Sequence, residues 1–155
     1  MHRELPVRCY GVSAVVLRKK GKEHQVLLLK RATTFKGQWC QVAGGIEQGE
    51  TAWQAALREI REETDLVPER LYSADVLEQF YEIDGDAVWM APVFVAFVDA
   101  SAGVTLNHEH SEFRWVSFHE ARSMLPFPGQ KRILESVLER FVNTPPLELL
   151  LIETG

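Results

Sequence analysis

At 155 residues, with 46% hydrophobic and 25% charged side chains, the chain has the balance of a soluble globular protein able to bury a real core, and residues 1–155 read as a single domain. Lys and Arg number 17 against 22 Asp and Glu, a net charge of −5, which argues against a nucleic-acid footprint of clustered basic side chains. An acidic protein can still handle phosphorylated ligands where metal ions screen its carboxylates.

The N-terminal MHRELPVRCYG has no apolar signal region, and no apolar run is long enough to span a bilayer. A soluble, cytoplasmic protein with no membrane partner is expected. Cys9 and Cys40 lie among apolar neighbours without CxxC spacing and read as reduced core thiols, with a Cys9–Cys40 disulfide left open. Val7 to Leu17 is rich in β-branched and aromatic residues. RKKGKEH then supplies a turn and Gln25 to Lys30 a second strand, which predicts a hairpin. The loop RATTFKGQ leads to a short strand over Trp39–Val42 that ends at Gly44-Gly45.

Thr51, with Gln54 three residues on, has the pattern of a capping box and predicts a helix from Ala52 to about Thr64. Strands follow over Ala74–Glu82 and Val88–Val98, joined by the turn IDGD. Pro92 makes the second of these an edge strand or the site of a bulge. Phe113–Val116 reads as a short strand, His119–Met124 as a helical turn, and Gln130–Phe141 as an amphipathic helix. The apolar tail PPLELLLIETG is suited to adding a strand or covering a neighbour. Strands interleaved with two main helices, without a regular βαβ repeat, predict a mixed sheet covered by helices.

The helix over Ala52–Thr64 carries the chemistry. At ~100° per residue, Trp53, Ala56, Leu57, Ile60 and Thr64 form the core stripe, while Glu59 and Glu63 lie together on its flank, ~40° apart. Arg58 and Glu62 lie further round and form an i,i+4 ion pair in the plainest reading, a solvated charged face. That reading leaves Glu59 and Glu63 repelling each other, with three glutamates opposing the negative end of the helix dipole. A divalent cation between the carboxylates removes both penalties, and hard oxygen ligands favour magnesium, calcium or manganese over zinc. The glycines upstream allow backbone to approach the same flank. From the helix alone both readings stand.

The stretch from Gly44 to Leu66, GGIEQGETAWQAALREIREETDL, resembles the signature of the Nudix hydrolases, G-x5-E-x7-R-E-U-x-E-E-x-G-U with U aliphatic. Gly44, Glu50, Arg58, Glu59, Ile60, Glu62, Glu63 and Leu66 fill fixed positions at the family spacing. Asp65 replaces the late glycine, a residue that tolerates the left-handed conformation better than most. The resemblance implies an α/β fold, a Nudix-type α/β/α sandwich around a mixed β-sheet, and hydrolysis of a nucleoside diphosphate linked to another group. It implies Glu59 and Glu63 as principal Mg²⁺ or Mn²⁺ ligands, Glu62 as an additional or water-bridged one, Arg58 as the residue orienting a glutamate, and the Ala43 carbonyl as a helper.

The general base in such enzymes often comes from a later loop, and HEHSEFRWVSFHEA offers Glu109 and Glu112. Glu109, which also joins the metal set, is preferred, because alternation pairs Glu112 with Arg114 on a solvent face. His108 and His110 read as loop surface rather than a zinc site, no cysteine lying nearby in sequence. Lys30, Arg31, Lys36 and Arg8 are candidate polyphosphate contacts, each with plain surface as the alternative. Trp39, Phe80, Tyr81, Trp89 and Phe94 are candidates to stack a base or pterin ring, with packing as the alternative. WCQVAGGIEQGET with EHSEFRW resembles the pyrophosphatases of nucleoside and dihydroneopterin triphosphates, while Tyr81 keeps dinucleoside polyphosphate hydrolysis open. ADP-ribose hydrolysis ranks lower, and a non-catalytic nucleotide-binding module is the remaining alternative. A nucleotide-type small molecule is the expected partner, bound by a monomer or homodimer.

Overall fold

The computed structural model describes all residues from 1 to 155. The chain forms β1 (Val7–Arg8), β2 (Gly11–Lys20), β3 (Glu23–Arg31), β4 (Trp39–Cys40), β5 (Val42–Gly45), α1 (Ala52–Thr64), β6 (Arg70–Glu82), β7 (Ala87–Val98), β8 (His110–Val116), α2 (Phe118–Met124), α3 (Pro128–Val137) and β9 (Leu151–Ile152). The strands make one mixed sheet with central order β4-β3-β2-β7-β6-β9; β1 adds to β7, β5 to β2 and β8 to β3. β2 and β7 run parallel, while β2–β3, β3–β8 and β6–β7 are antiparallel.

Helices cover both faces, which explains why β2 is buried on both sides rather than alternating. Val12, Ala14 and Val16 face α1, with Leu27, Leu29, Ala56 and Ile60. Val15 and Leu17 face α2 and α3, with Leu28, Phe118, Leu134 and Val137. This is the expected α/β/α sandwich. Along one edge β2 changes partner: Leu17–Lys20 pair with β3, but Gly11–Ala14 pair with β5. The end of β3 therefore diverges from the start of β2, and the motif glycines enter there.

The capping box on α1 is present in full, with Gln54 N–H donating to Thr51 Oγ1 (3.2 Å) and Thr51 N–H to Gln54 Oε1 (2.8 Å). Asp65 closes the helix at φ 61°, its N–H donating to the Arg61 carbonyl at 2.8 Å. Pro92 is not on an edge strand, since β7 lies between β2 and β6. It sits instead opposite Leu77, where β6 shifts register and Asp75 turns to φ 58°. The missing N–H falls where the ladder is already interrupted.

Several boundaries move. The predicted strand over Trp39–Val42 is two strands, β4 and β5, and β6 starts at Arg70. β8 begins at His110, so the segment read as loop is already paired with Arg31 of β3. α3 starts at Pro128 and continues as a π-turn over Leu138–Val142. The tail does add a strand: β9 pairs with β6 through Leu71–Ile152 and Tyr72–Leu151. Cys9 is exposed rather than in the core, because the chain between β1 and β2 runs outside the sheet; Cys40 is buried, and both thiols are free. No helix is long and apolar enough to cross a membrane.

Candidate active site

β5 brings Gly44 against the middle of α1. A Cβ on Gly44 would lie 2.1 Å from Glu59 Cδ, so the space a side chain needs is filled by the Glu59 carboxylate. The motif glycine is thus set by close approach of the helix to the strand. The loop that follows is fastened by Arg58, whose Nη2 donates to the Gly45 carbonyl and to Glu50 Oε1, both at 2.7 Å. Its Nη1 donates to Glu59 Oε1 at 2.8 Å and to Glu62 Oε2 at 3.2 Å. Hydrogen bonding from Arg58 holds the Glu50 carboxyl below the usual carboxylate range, and Glu50 in return raises the Arg58 pKa. Arg58 is thus hydrogen-bonded to Glu59, the kind of contact a residue orienting a glutamate would make. Glu50, at its fixed spacing eight residues before Arg58, is the partner that anchors the guanidinium.

Glu59 and Glu63 are both buried, Glu63 almost completely, at 1% exposure. The buried face of α1 is consequently centred nearer the glutamates than the stripe through Trp53 and Leu57, which are only partly buried. Glu63 Oε2 is buried with no hydrogen-bond partner, and Oε1 lies 3.5 Å from His110 Nδ1. Burial, then Glu59 beside it and Glu109 beyond, drive the Glu63 pKa far up, so without a cation this carboxyl holds its proton.

β8 delivers the third side of the cluster. Ala32 N–H donates to the Glu109 carbonyl at 3.0 Å, anchoring this turn to the end of β3. Carboxylate and imidazole atoms of Glu63, Glu109 and His110 all lie within 4.8 Å of one another. Glu112, by contrast, pairs in register with Lys30 and forms an ion pair with Arg114 at 3.4 Å. The reading of His110 as loop surface is overturned: it is buried, and burial lowers its pKa. A cysteine 70 residues away in sequence does lie beside it in space, with Cys40 Sγ 3.6 Å from His110 Nε2. Burial pushes the Cys40 thiol up to about 11, which leaves it a protonated thiol rather than a thiolate ligand. Linear spacing gives no sign of either contact, because both are made by the β3–β4 and β3–β8 pairings.

Glu63 and Glu109 come together with the His110 imidazole, and the Glu59 carboxylate sits beside Glu63 where a Gly44 Cβ would otherwise stand, an oxygen-rich donor set suited to a hard divalent cation. Glu62 is more than half exposed and reaches the cluster only through Arg58. Ala43 precedes Gly44 in β5, paired with Ser13. Arg31, at the end of β3, is close enough to bear on the titration of Glu63, His110 and Cys40. Arg8 is exposed in β1 and Lys36 in the loop before β4. Trp39 packs toward the core under α2 and α3, with Lys30 and Arg114 5.8 and 5.0 Å from its ring, so it does not join the glutamate cluster. A groove of about 210 Å³ lined by His24, Arg70, Phe97 and Phe141 includes none of these residues.

The family model described as NUDIX domain matches residues 7–140. An asymmetrical bis(5'-nucleosyl)-tetraphosphatase of Caenorhabditis elegans is 30% identical over 109 residues, 69% of this chain and 78% of that protein. The nucleoside triphosphatase NudI of Escherichia fergusonii is 36% identical over 90 residues, 53% of this chain and 63% of the relative. An octanoyltransferase of Myxococcus xanthus is 36% identical over 129 residues, 80% of this chain, but the chain spans only 35% of its length. In three dimensions the C. elegans Ap4A hydrolase binary complex superposes with a TM-score of 0.75 at 23% identity, covering 86% of this chain and 98% of that one.

Proposed function

The chain belongs to the Nudix family, and from that premise we propose that it is a divalent-cation-dependent pyrophosphohydrolase that cleaves a nucleoside or pterin triphosphate to the monophosphate and pyrophosphate. The observation that carries this reading is the buried, unpartnered Glu63 carboxylate beside Glu59 and Glu109, an arrangement that is unfavourable without a cation. Glu59 and Glu63 would hold Mg²⁺ or Mn²⁺, with Glu109 joining from the rim and Glu62 and the Ala43 carbonyl as further contributors. The chemistry such a cation would supply there is neutralisation of phosphate oxygens and a lowered pKa for a water.

The chain's own groups supply the rest. Arg58 keeps Glu59 fixed against Gly44, and Arg31 offers positive charge to the polyphosphate, with Arg8 and Lys36 further out. Glu109, exposed and hydrogen-bonded through its N–H to Asn107 Oδ1 at 3.1 Å, takes the proton from the attacking water. Water adds to a phosphorus, the bridging P–O bond breaks, and pyrophosphate leaves with the electron pair. A second reading, hydrolysis of dinucleoside polyphosphates, is favoured by the tetraphosphatase relative, of which this chain covers 78%. The discriminating experiment is product analysis by ³¹P NMR over nucleoside triphosphates, dihydroneopterin triphosphate, dinucleoside polyphosphates and ADP-ribose, with Mg²⁺ or Mn²⁺. Pyrophosphate release from a triphosphate, abolished by EDTA and by Glu63→Gln, is the expected result; no turnover of any member would sink the hydrolase reading.

A further inference from the structure

The residues between β7 and β8 form no strand or helix, yet they are not an ordinary surface loop. Ala102, Val104 and Leu106 pack against the core that includes Ile60 and Leu66, while Gly103 and Thr105 face solvent. This alternation is that of a half-buried strand, laid here against the core beneath α1. One backbone bond fastens it to the helix, from Thr105 N–H to the Thr64 carbonyl at 2.9 Å. That carbonyl is one of the last-turn acceptors a helix leaves unfilled. Thr64 is itself held fast: it is fully buried, its hydroxyl donating to the Ile60 carbonyl and accepting from Leu66 N–H at 3.2 Å. An aspartate and an asparagine close the two ends of the segment. Asp99 Oδ1 accepts from Ser101 N–H at 2.9 Å, and Asn107 Oδ1 from Glu109 N–H at 3.1 Å.

The tether matters for what stands at its two ends. Thr64 follows Glu63 directly, and Thr105, Leu106, Asn107 and His108 lead straight into Glu109. Past that point the chain is fastened again, by the bond from Ala32 N–H to the Glu109 carbonyl. Glu109 is thus an exposed side chain on a stretch pinned twice, once to the helix that carries Glu63 and once to the end of β3. No other backbone bond ties this segment to α1. Between the pins, Leu106 is half-buried in the core and Asn107 fixes the turn. A displacement of about 1 Å in a reacting group can cost about a hundredfold in rate, so an exposed carboxylate that works with a buried one needs such bracing. A mere seal over the core would need the apolar side chains of the segment but not Asn107, whose side chain bonds only to the Glu109 N–H.

We infer that Leu106 and Asn107 are positioning residues, the strut that sets Glu109 at its working distance from Glu63. The inference deepens the hydrolase reading and rests on it, both residues acting through Glu109. Its test is a double-mutant cycle with Glu109→Gln on the full chain, read by kcat, by KM and by Mn²⁺ affinity from electron paramagnetic resonance. Leu106→Ala and Asn107→Ala should each lower kcat at least about tenfold, with KM within about twofold, and weaken Mn²⁺ binding severalfold. Beside Glu109→Gln neither should do anything more, because the strut acts only through that carboxylate. Asn107→Asp keeps the acceptor and should keep most of the rate. Leu106→Ala also thins the core and will lower the melting temperature; Asn107→Ala leaves the core intact and carries the test if the first variant fails to fold. Losses that persist in full beside Glu109→Gln, or no change in kcat and Mn²⁺ affinity from either substitution, overturn the inference. A wild type that hydrolyses nothing would sink the hydrolase reading and leave the Mn²⁺ cycle to decide the strut; turnover with additive losses would do the reverse.

Discussion

Glu63 shows how a single side chain can be badly placed for stability and well placed for chemistry. Its carboxyl is nearly fully buried, next to Glu59, and its pKa is raised by burial first and by neighbouring carboxylates second. A raised folded-state pKa contributes stability that is fully present below the unfolded value, near pH 4, and drains away as pH climbs toward the folded value. In EDTA the wild type should therefore lose stability from pH 5 to pH 8, by at most about 1.4 kcal/mol per pH unit from this group. Glu63→Gln has no such slope, so its melting temperature should rise relative to wild type across that range. Added Mg²⁺ should reverse the order by stabilising the wild type alone. Thermal melts at the two pH values, with EDTA or Mg²⁺, check both halves; a variant that is less stable in EDTA at pH 8 would contradict the account.

Among the elements, α1 has the most to hold in place. Its N-terminus is closed by a reciprocal capping box and its C-terminus by a left-handed aspartate, while Arg58 bolts its outer flank to the incoming loop. The cap matters because a shift of the first turn would pull Glu59 away from Gly44, where no slack exists. Thr51→Ala removes the acceptor for Gln54 N–H and should cost about 1 kcal/mol of stability, read as a lower denaturant midpoint with unchanged slope. The β6–β7 pair is the other element with a task. Its bulge between Ser73 and Leu77 accommodates Pro92, and beyond it Glu78 and Phe80 face Ala91 and Trp89. The interruption adds two residues to β6 between Ser73 and Leu77, an even number that leaves the facing of every later side chain unchanged.

For the molecule as a whole, the final strand closes an otherwise open edge. β9 pairs with the outer side of β6, with Leu150 packed toward one core and Ile152 toward the other. Truncation after Pro146 should lower stability by roughly 1–3 kcal/mol, the scale of burying one or two aliphatic side chains. It should also bare an edge that recruits other chains. Differential scanning calorimetry and light scattering against concentration measure the two effects, and a truncated protein as stable and as monodisperse as the parent would show the strand to be passive.

The sequence by itself determined the parts governed by short-range pattern. The helix over Ala52–Thr64, its capping box, the left-handed Asp65 and the metal-type spacing of Glu59 and Glu63 depend only on neighbours within a few residues. Hydrophobicity marked the tail as either an added strand or a cover, element order gave a mixed sheet covered by helices, and the family resemblance implied helices on both faces. Tertiary structure alone decided what meets across strands. Cys40, His110 and Glu63 are far apart in the chain, and only the β3–β4 and β3–β8 pairings bring them together. Cys9 left the expected core because nothing local reveals that the chain runs outside the sheet between β1 and β2. Gln41 and Glu78 carry no signal in sequence, since a lone glutamine or glutamate in a strand is ordinarily surface. Gln41 is buried and Glu78 half-buried through strand register, a long-range fact that no periodicity within a segment encodes.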